Sequence, residues 1–266
     1  MGLLRIAPPI LLGSRRSLRL IERNLLLYRR TWMVIFSGIF EPLFYLAGIG
    51  FGLGGLVGEV RGPGGEPIPY QLFLAPALLA SSAMNGAITE GTYNFHWKLR
   101  EDRVFESILA TPLSPGDIAV GELTWALIRG GLYAVGFTIV MVLLGLAVSP
   151  WVILAVPAAL LVGFAFGGVA MAAASFMRSW QDFDLIQLVV LPLFLFSGTF
   201  FPLETYPEPL RLVVQLTPLY HGVDLLRSLS VGAVGPGLLV HVAYLAAMGF
   251  VGLAIVSRRV GLILLR

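Results

Sequence analysis

LIQLVVLPLFLF (185–196), running straight into SGTFFPLETYPEPLRLVVQLTPLYHGVDLLR (197–227), is the stretch that decides the fold. Its second part holds four prolines, two glycines and only five charged side chains in 31 residues. A solvated loop would be more polar, and a further membrane span would not tolerate Pro202, Pro207, Pro209 and Pro218 so close together. The sequence instead predicts a pair of short half-helices dipping into the membrane edge. Non-helical backbone survives at membrane depth only where protein or a water-filled cavity covers it. That is the architecture of a transporter.

Composition agrees. Of 266 residues, 57% are hydrophobic and 12% charged, and the mean hydropathy is +0.87. A soluble domain carries about 25% charged residues, so the chain reads as an integral membrane protein. The absence of cysteine removes disulfides, thiolate metal sites and cysteine nucleophiles from consideration. His96, His221 and His241 stand apart in sequence without ligand spacing, so each reads as a satisfied or exposed histidine and no metal site is expected. An arginine-rich stretch of about thirty residues precedes the first long apolar span, which does not resemble a cleavable signal peptide.

Six apolar segments have the ~20 residues needed to cross a bilayer. They lie at about 32–57, 70–94, 121–147, 151–176, 184–203 and 237–257. No internal repeat is visible, so an inverted-repeat secondary transporter gains no support. Orientation follows from the basic residues. Arg5, Arg15, Arg16, Arg19, Arg23, Arg29 and Arg30 precede the first span; Lys98, Arg100 and Arg103 follow the second. Arg129 starts the third, Arg178 follows the fourth, and Arg258, Arg259 and Arg266 follow the sixth. Only Arg61, Arg211 and Arg227 fall on the opposite side, leaving 15 of 18 basic residues on one face. The positive-inside rule puts both termini in the cytoplasm, and an even number of spans requires them on one side.

Two cytoplasmic features stand out. In the N-terminal arm, Leu18, Ile21, Leu25 and Tyr28 recur at helical spacing beside Arg16, Arg19, Arg23 and Arg30. This suits a helix lying on the interface with arginines near anionic headgroups; the alternative is a basic tail that only sets topology. Between spans two and three, FHWKLREDRVFESILATPLSPGDIAVGEL (95–123) has Trp97, Val104, Ile108 and Leu109 at helical spacing among charges. Thr111-Pro112 and Ser114-Pro115 then break the helix before Asp117. A plain connector would be shorter, so this loop reads as a docking surface for a cytoplasmic partner.

Catalytic chemistry is scarce. No G-x-x-x-x-G-K-[ST] occurs, so the chain does not cradle nucleotide phosphates in that way. GFGLGG (50–55) sits at the outer end of an apolar span with no strand before it, and close helix packing or a kink explains it better. G-x-S-x-G, H-E-x-x-H and paired carboxylates are absent, and nothing points to nucleic acid. Asp182 and Asp184 fit the start of a helix, where acidic side chains are favoured, better than a metal pair. Ionisable groups inside spans are expensive. Glu41, before Pro42, lies ~15 Å along the first span; it reads as structurally paired or on the substrate path. Glu90, Glu122 and Arg129 lie nearer the inner ends of their spans.

These residues resemble the membrane subunit of type-2 ABC exporters, the ABC-2 permeases. PLYHGVDLLR (218–227) meets the end of that family's signature through Pro218, Leu219, His221 and Arg227, and FSGTFFPLETYPEPLR (196–211) resembles the segment leading into it. EPLFYLAGIGFGLG (41–54), residues 99–123 and the arginine-rich N-terminus are also similar, most of all to permeases that export rhizobial nodulation lipo-oligosaccharides. Drug and polysaccharide exporters share the signature.

The resemblance implies an all-α integral membrane fold forming a single transmembrane domain over 1–266. It would have six transmembrane helices and an arm with an amphipathic interfacial helix at 1–31. A cytoplasmic coupling helix would lie in 95–120, and an outer re-entrant hairpin at 199–221. It implies a homodimer embedded in lipid, in the bacterial inner membrane, with two copies of a separate ATPase. ATP and Mg would sit on that ATPase, so no cofactor is expected on this chain and no enzymatic activity of its own. Trp97, Arg100, Arg103, Phe105 and Glu106 would couple to the ATPase; Glu41, Phe200, Phe201, Tyr206 and Tyr220 would line the substrate path or its exit. The expected cargo is a lipo-oligosaccharide or glycolipid, with a hydrophobic drug or antibiotic second. From another class, a proton-coupled transporter would use Glu41 and Glu90. A lipid enzyme lacks any acid–base constellation.

Overall fold

The computed structural model describes residues 17–28 and 32–265. Arg5, Arg15, Arg16, Arg29, Arg30 and Arg266, and with them most of the expected arm, lie outside the described residues.

The described residues are mostly helical. Helix α1 (Ser17–Tyr28) precedes α2 (Trp32–Tyr45), which continues through a π-helical turn into α3 (Gly52–Val57). A short antiparallel ribbon, β1 (Glu59–Arg61) with β2 (Pro67–Pro69), pairs Val60 with Ile68; no strand was expected there. Next come α4 (Tyr70–Thr89), α5 (Val104–Leu109), α6 (Pro115–Leu143) and α7 (Ala155–Phe176). They are followed by α8 (Asp182–Phe196), α9 (Glu208–Leu216), α10 (Pro218–Val231) and α11 (Leu238–Leu264).

Among the described residues, five helical runs are long and apolar enough to cross a membrane: Gly38–Val57, Tyr70–Glu101, Pro115–Leu143, Pro150–Phe176 and Leu238–Leu264. The expected span at 184–203 differs. Its helix, α8, stops at Phe196 after 15 residues, a rise of only ~22 Å at 1.5 Å per residue. Ser197 leaves helical geometry and Gly198 takes φ +71°, which breaks the ladder. The second span departs the other way: α4 is prolonged by π-helical turns as far as Glu101, beyond the expected end at 94. The break falls instead at Arg103, a non-glycine residue with φ +49°. The start of α6 is set locally by a capping box. The Asp117 amide donates to Ser114 Oγ at 3.2 Å, and the Ser114 amide donates to Asp117 Oδ2 at 2.9 Å, with Pro115 at the first helical position.

Helices α4, α7 and α10 form the centre, where Phe73, Leu74, Leu78, Val162 and Leu226 are buried. Small residues bring α7 and α11 together: a Cβ on Gly252 would fall 2.4 Å from the Gly168 carbonyl carbon. Such backbone approach is how apolar helices associate without a hydrophobic driving force between them. Within GFGLGG, Gly54 packs closely on another element, where a Cβ would strike the Gln71 side chain, whereas Gly55 has open space around it.

Each ionisable group noted inside a span has found a partner. Glu90 of the prolonged α4 forms an ion pair with Arg129 of α6 and accepts from Asn94 Nδ2 at 2.8 Å. Arg129 also donates to the Tyr133 hydroxyl at 3.2 Å. Glu122 pairs with Lys98 and accepts from Asn24 of α1 at 3.4 Å, fixing α1 beside α6. Glu41 accepts from Asn85 Nδ2 at 3.2 Å.

Candidate functional site

The bundle has two ends. One carries α5, the start of α6 and the start of α8; the other carries the β ribbon, α9, α10 and the start of α11.

At the α5 end, an aromatic stack ties the prolonged end of α4 to the start of α8. Tyr93 lies on Phe183 with ring centroids 4.4 Å apart, Trp180 meets Phe183 at 5.2 Å, and Trp97 meets Trp180 at 5.7 Å. His96 meets Phe183 edge-on at 5.2 Å. Trp97 remains 47% exposed, and Arg100, Arg103 and Glu106 are exposed as well. Phe105 is different: it is wholly buried against Phe95 at 5.3 Å, so it anchors α5 and presents no surface of its own. The carboxylate of Asp182 accepts from the amides of Arg178 (2.7 Å) and Ser179 (3.2 Å), which is the helix-start role expected of it.

At the other end, Arg227 is the organising residue. It is 5% exposed. Its Nε donates to the Phe73 carbonyl at 3.0 Å and its terminal nitrogen to the Gly198 carbonyl at 2.8 Å. The guanidinium carbon lies 3.6 Å from the centroid of the Phe73 ring. One side chain thus joins α10, α4 and the turn after α8, and satisfies two buried carbonyls. Arginine alone presents a planar fork that does this while stacking on a ring.

The other signature residues take different roles. Pro218 starts α10, Leu219 is buried and His221 is nearly so. Of the expected exit residues, Phe200 is buried against Phe194, and its carbonyl accepts from the Tyr70 hydroxyl at 3.2 Å. Tyr206 is buried, with its carbonyl accepting from Arg211. Phe201 is 54% exposed, and Tyr220 faces a cavity. Glu41 lies apart from this group, against Asn85.

The cavity, about 670 Å³, is lined by Arg61, Glu204, Tyr220, Asp224, Arg227 and His241 among others. A separate groove of about 560 Å³ runs between α7 and α8, with Phe166, Val169, Leu185 and Val189 in its walls. Pro218 borders the groove and Tyr220 the cavity, so the start of α10 stands between a polar and an apolar recess.

The histidines are not isolated in space. His241 Nε2 lies 3.1 Å from Asp224 Oδ2, and His241 Nδ1 lies 2.7 Å from His221 Nδ1. The His221 ring stacks on Tyr244 at 4.0 Å, and Tyr220 meets both imidazoles edge-on. This side-chain cluster was hidden because α11 supplies His241 and Tyr244 while α10 supplies the rest. The signal that could have found part of it is the spacing of Tyr220, Asp224 and Arg227, which at i, i+4 and i+7 share a helix face.

Burial first, then His241 beside it, lower the His221 pKa below the usual 6.5, against the opposing pull of Asp224. A depressed histidine favours the neutral folded form. Its stabilisation is therefore present above pH 6.5 and is lost as pH falls through that value toward the folded pKa. The melting temperature in detergent is expected to drop between pH 7.5 and pH 5.5, and to drop less in His221→Gln. Equal drops in both proteins would remove His221 as the cause.

The sequence profile described as "ABC-2 type transporter" matches residues 17–231. Among similar proteins, Nodulation protein J of Sinorhizobium fredii is 32% identical over 244 residues, covering 90% of this chain and 91% of the relative. Nodulation protein J of Bradyrhizobium diazoefficiens is 33% identical over 244 residues, with coverage of 90% and 91%. The Rhizobium meliloti protein of the same name is 34% identical over 216 residues, with 80% of each chain covered.

Proposed function

This chain belongs to the ABC-2 type transporter family, and from that premise we propose that it is the membrane-spanning subunit of an ATP-driven exporter of an amphipathic molecule, a lipo-oligosaccharide or glycolipid. The family match over residues 17–231 is the observation that carries the transport reading. The cargo reading rests on likeness to the nodulation proteins and on the polar cavity and apolar groove flanking the start of α10. A purely hydrophobic drug would have no use for the cavity. A proton relay from Glu41 to Glu90 is disfavoured, since Glu90 is engaged by Arg129 and Asn94.

In this reading α8 is the fifth of six spans and α11 the sixth, both termini are cytoplasmic and the protein sits in the bacterial inner membrane as a homodimer. The α9–α10 region forms the outer re-entrant element. Two copies of a separate ATPase, holding ATP and Mg, dock on the α5 end. Trp97, Arg100, Arg103 and Glu106 meet that ATPase, while buried Phe105 keeps α5 rigid enough to receive its stroke. The Tyr93–Phe183–Trp180 stack hands the movement to α8.

The test is co-purification of the tagged chain from its native membrane in mild detergent, for wild type and for the Arg100→Glu/Arg103→Glu variant. A stoichiometric P-loop ATPase is expected with the wild type. The variant should lose the ATPase or hydrolyse ATP without transport, each exposed charge contact contributing about 0.2–1 kcal/mol before reversal adds repulsion. A stable wild-type chain that emerges alone would overturn the exporter reading; unchanged coupling in the variant would overturn the docking assignment.

A further inference from the structure

The cavity at the ribbon end has a chemistry that narrows the cargo, on the reading that this end faces outward. We propose that it is a binding site for an uncharged polyhydroxylated group, the glycan end of the exported amphiphile.

Its volume, about 670 Å³, falls within the range of small-molecule sites, roughly 300–1,000 Å³. Charge balance decides the ligand class. Arg61 and Arg227 line the same space as Glu204 and Asp224, two cations with two carboxylates. A phosphate or carboxylate site would gather cations without carboxylates beside them, and an ammonium site would exclude the arginines. Opposed groups side by side present donors and acceptors together. A sugar hydroxyl, donor and acceptor at once, uses both.

Two of the four charged groups, Asp224 and Arg227, are held before any ligand arrives. Asp224 is fixed by His241, His241 by His221, and His221 by the ring of Tyr244. Arg227 is pinned by the carbonyls of Phe73 and Gly198. Groups fixed in this way bind without first losing rotamer freedom, the property that separates a built site from a wet surface. The lining is not polar throughout: Tyr220, Pro202 and Leu203 also border the cavity. Apolar and aromatic surface between hydrogen-bonding groups matches a pyranose, which has C–H faces and a hydroxylated rim. An alkyl chain would leave the carboxylates and Arg61 desolvated and unpaired.

The test uses the purified chain in lipid nanodiscs, which expose this end to solvent. Saturation-transfer NMR is recorded with maltotetraose, cellotetraose and chitotetraose, and with phosphocholine and glycerol 3-phosphate as charged probes. At least one tetrasaccharide is expected to bind, with neither charged probe displacing it. Asp224→Asn and Arg61→Gln are each expected to weaken that binding about tenfold, the loss of one hydrogen bond to a charged group. Asp224→Asn also disturbs His241, but Arg61 is exposed on the ribbon, so Arg61→Gln tests the site without endangering the fold. No tetrasaccharide binding, binding unchanged in both variants, or preference for a charged probe would each overturn the proposal. Glycan binding by a chain that recruits no ATPase would support the site and defeat the exporter reading. An ATPase-bound chain that binds none of the three glycans would do the reverse.

Discussion

Arg227→Ala is expected to leave the protein unable to accumulate in the membrane as a monodisperse species, with its melting temperature in detergent lowered by about 10 °C. The substitution strands the Phe73 and Gly198 carbonyls in a buried setting and removes the cation from the Phe73 ring. Two buried acceptors left unmade cost about 1–3 kcal/mol each, and the ring contact adds about 1–2. The relief of no longer burying a guanidinium offsets part of this, leaving about 3 kcal/mol. Arg227→Lys separates charge from geometry. Lysine keeps the cation but lacks the fork that reaches α4 and the post-α8 turn together, so it should recover less than half of the loss. Full recovery by lysine would show that charge alone matters at this position. Size-exclusion chromatography with a thermal ramp makes the measurement.

The second large effect is expected at Glu90 and Arg129, whose side chains are only 10% and 12% exposed. Arg129→Met leaves a carboxylate buried without its cation, a change that costs about 3–5 kcal/mol in comparable buried pairs. Glu90→Gln leaves the cation without its counter-charge and should also destabilise strongly. The double variant Glu90→Gln/Arg129→Met removes both charges and should be more stable than Arg129→Met alone. A double-mutant cycle on melting temperatures reads the coupling directly. Additive losses would mean that the two side chains do not depend on each other, and that Asn94 and Tyr133 hold them separately.

The candidate site was legible only in parts, for reasons that differ from residue to residue. Arg227 stood out through its family signature, yet nothing along the chain named the Phe73 and Gly198 carbonyls, 154 and 29 residues away. Phe105 was grouped with Trp97 and the charges around it through the family resemblance, but a resemblance does not say which apolar side chain is buried and which is left for a partner. Phe200 and Tyr206 read as exit aromatics because the family resemblance put them in an outer hairpin; packing against Phe194 buries the first ring, and Tyr206 is buried as well. His221 and His241 were set aside because ligand spacing is a local test, and these two meet across a helix pair.

The broken segment after α8 was legible because proline cannot continue a helix and glycine frees the backbone. Membrane residence, the helical class and the approximate places of the long apolar runs were legible too, because hydrophobicity and helix period are properties of contiguous residues. Tertiary structure decided which of those segments became a full-length helix, which carboxylate met which arginine, and which faces closed around the cavity. Those outcomes depend on groups far apart in the chain reaching hydrogen-bonding distance, and the energy of a buried charge is determined only when its partner arrives.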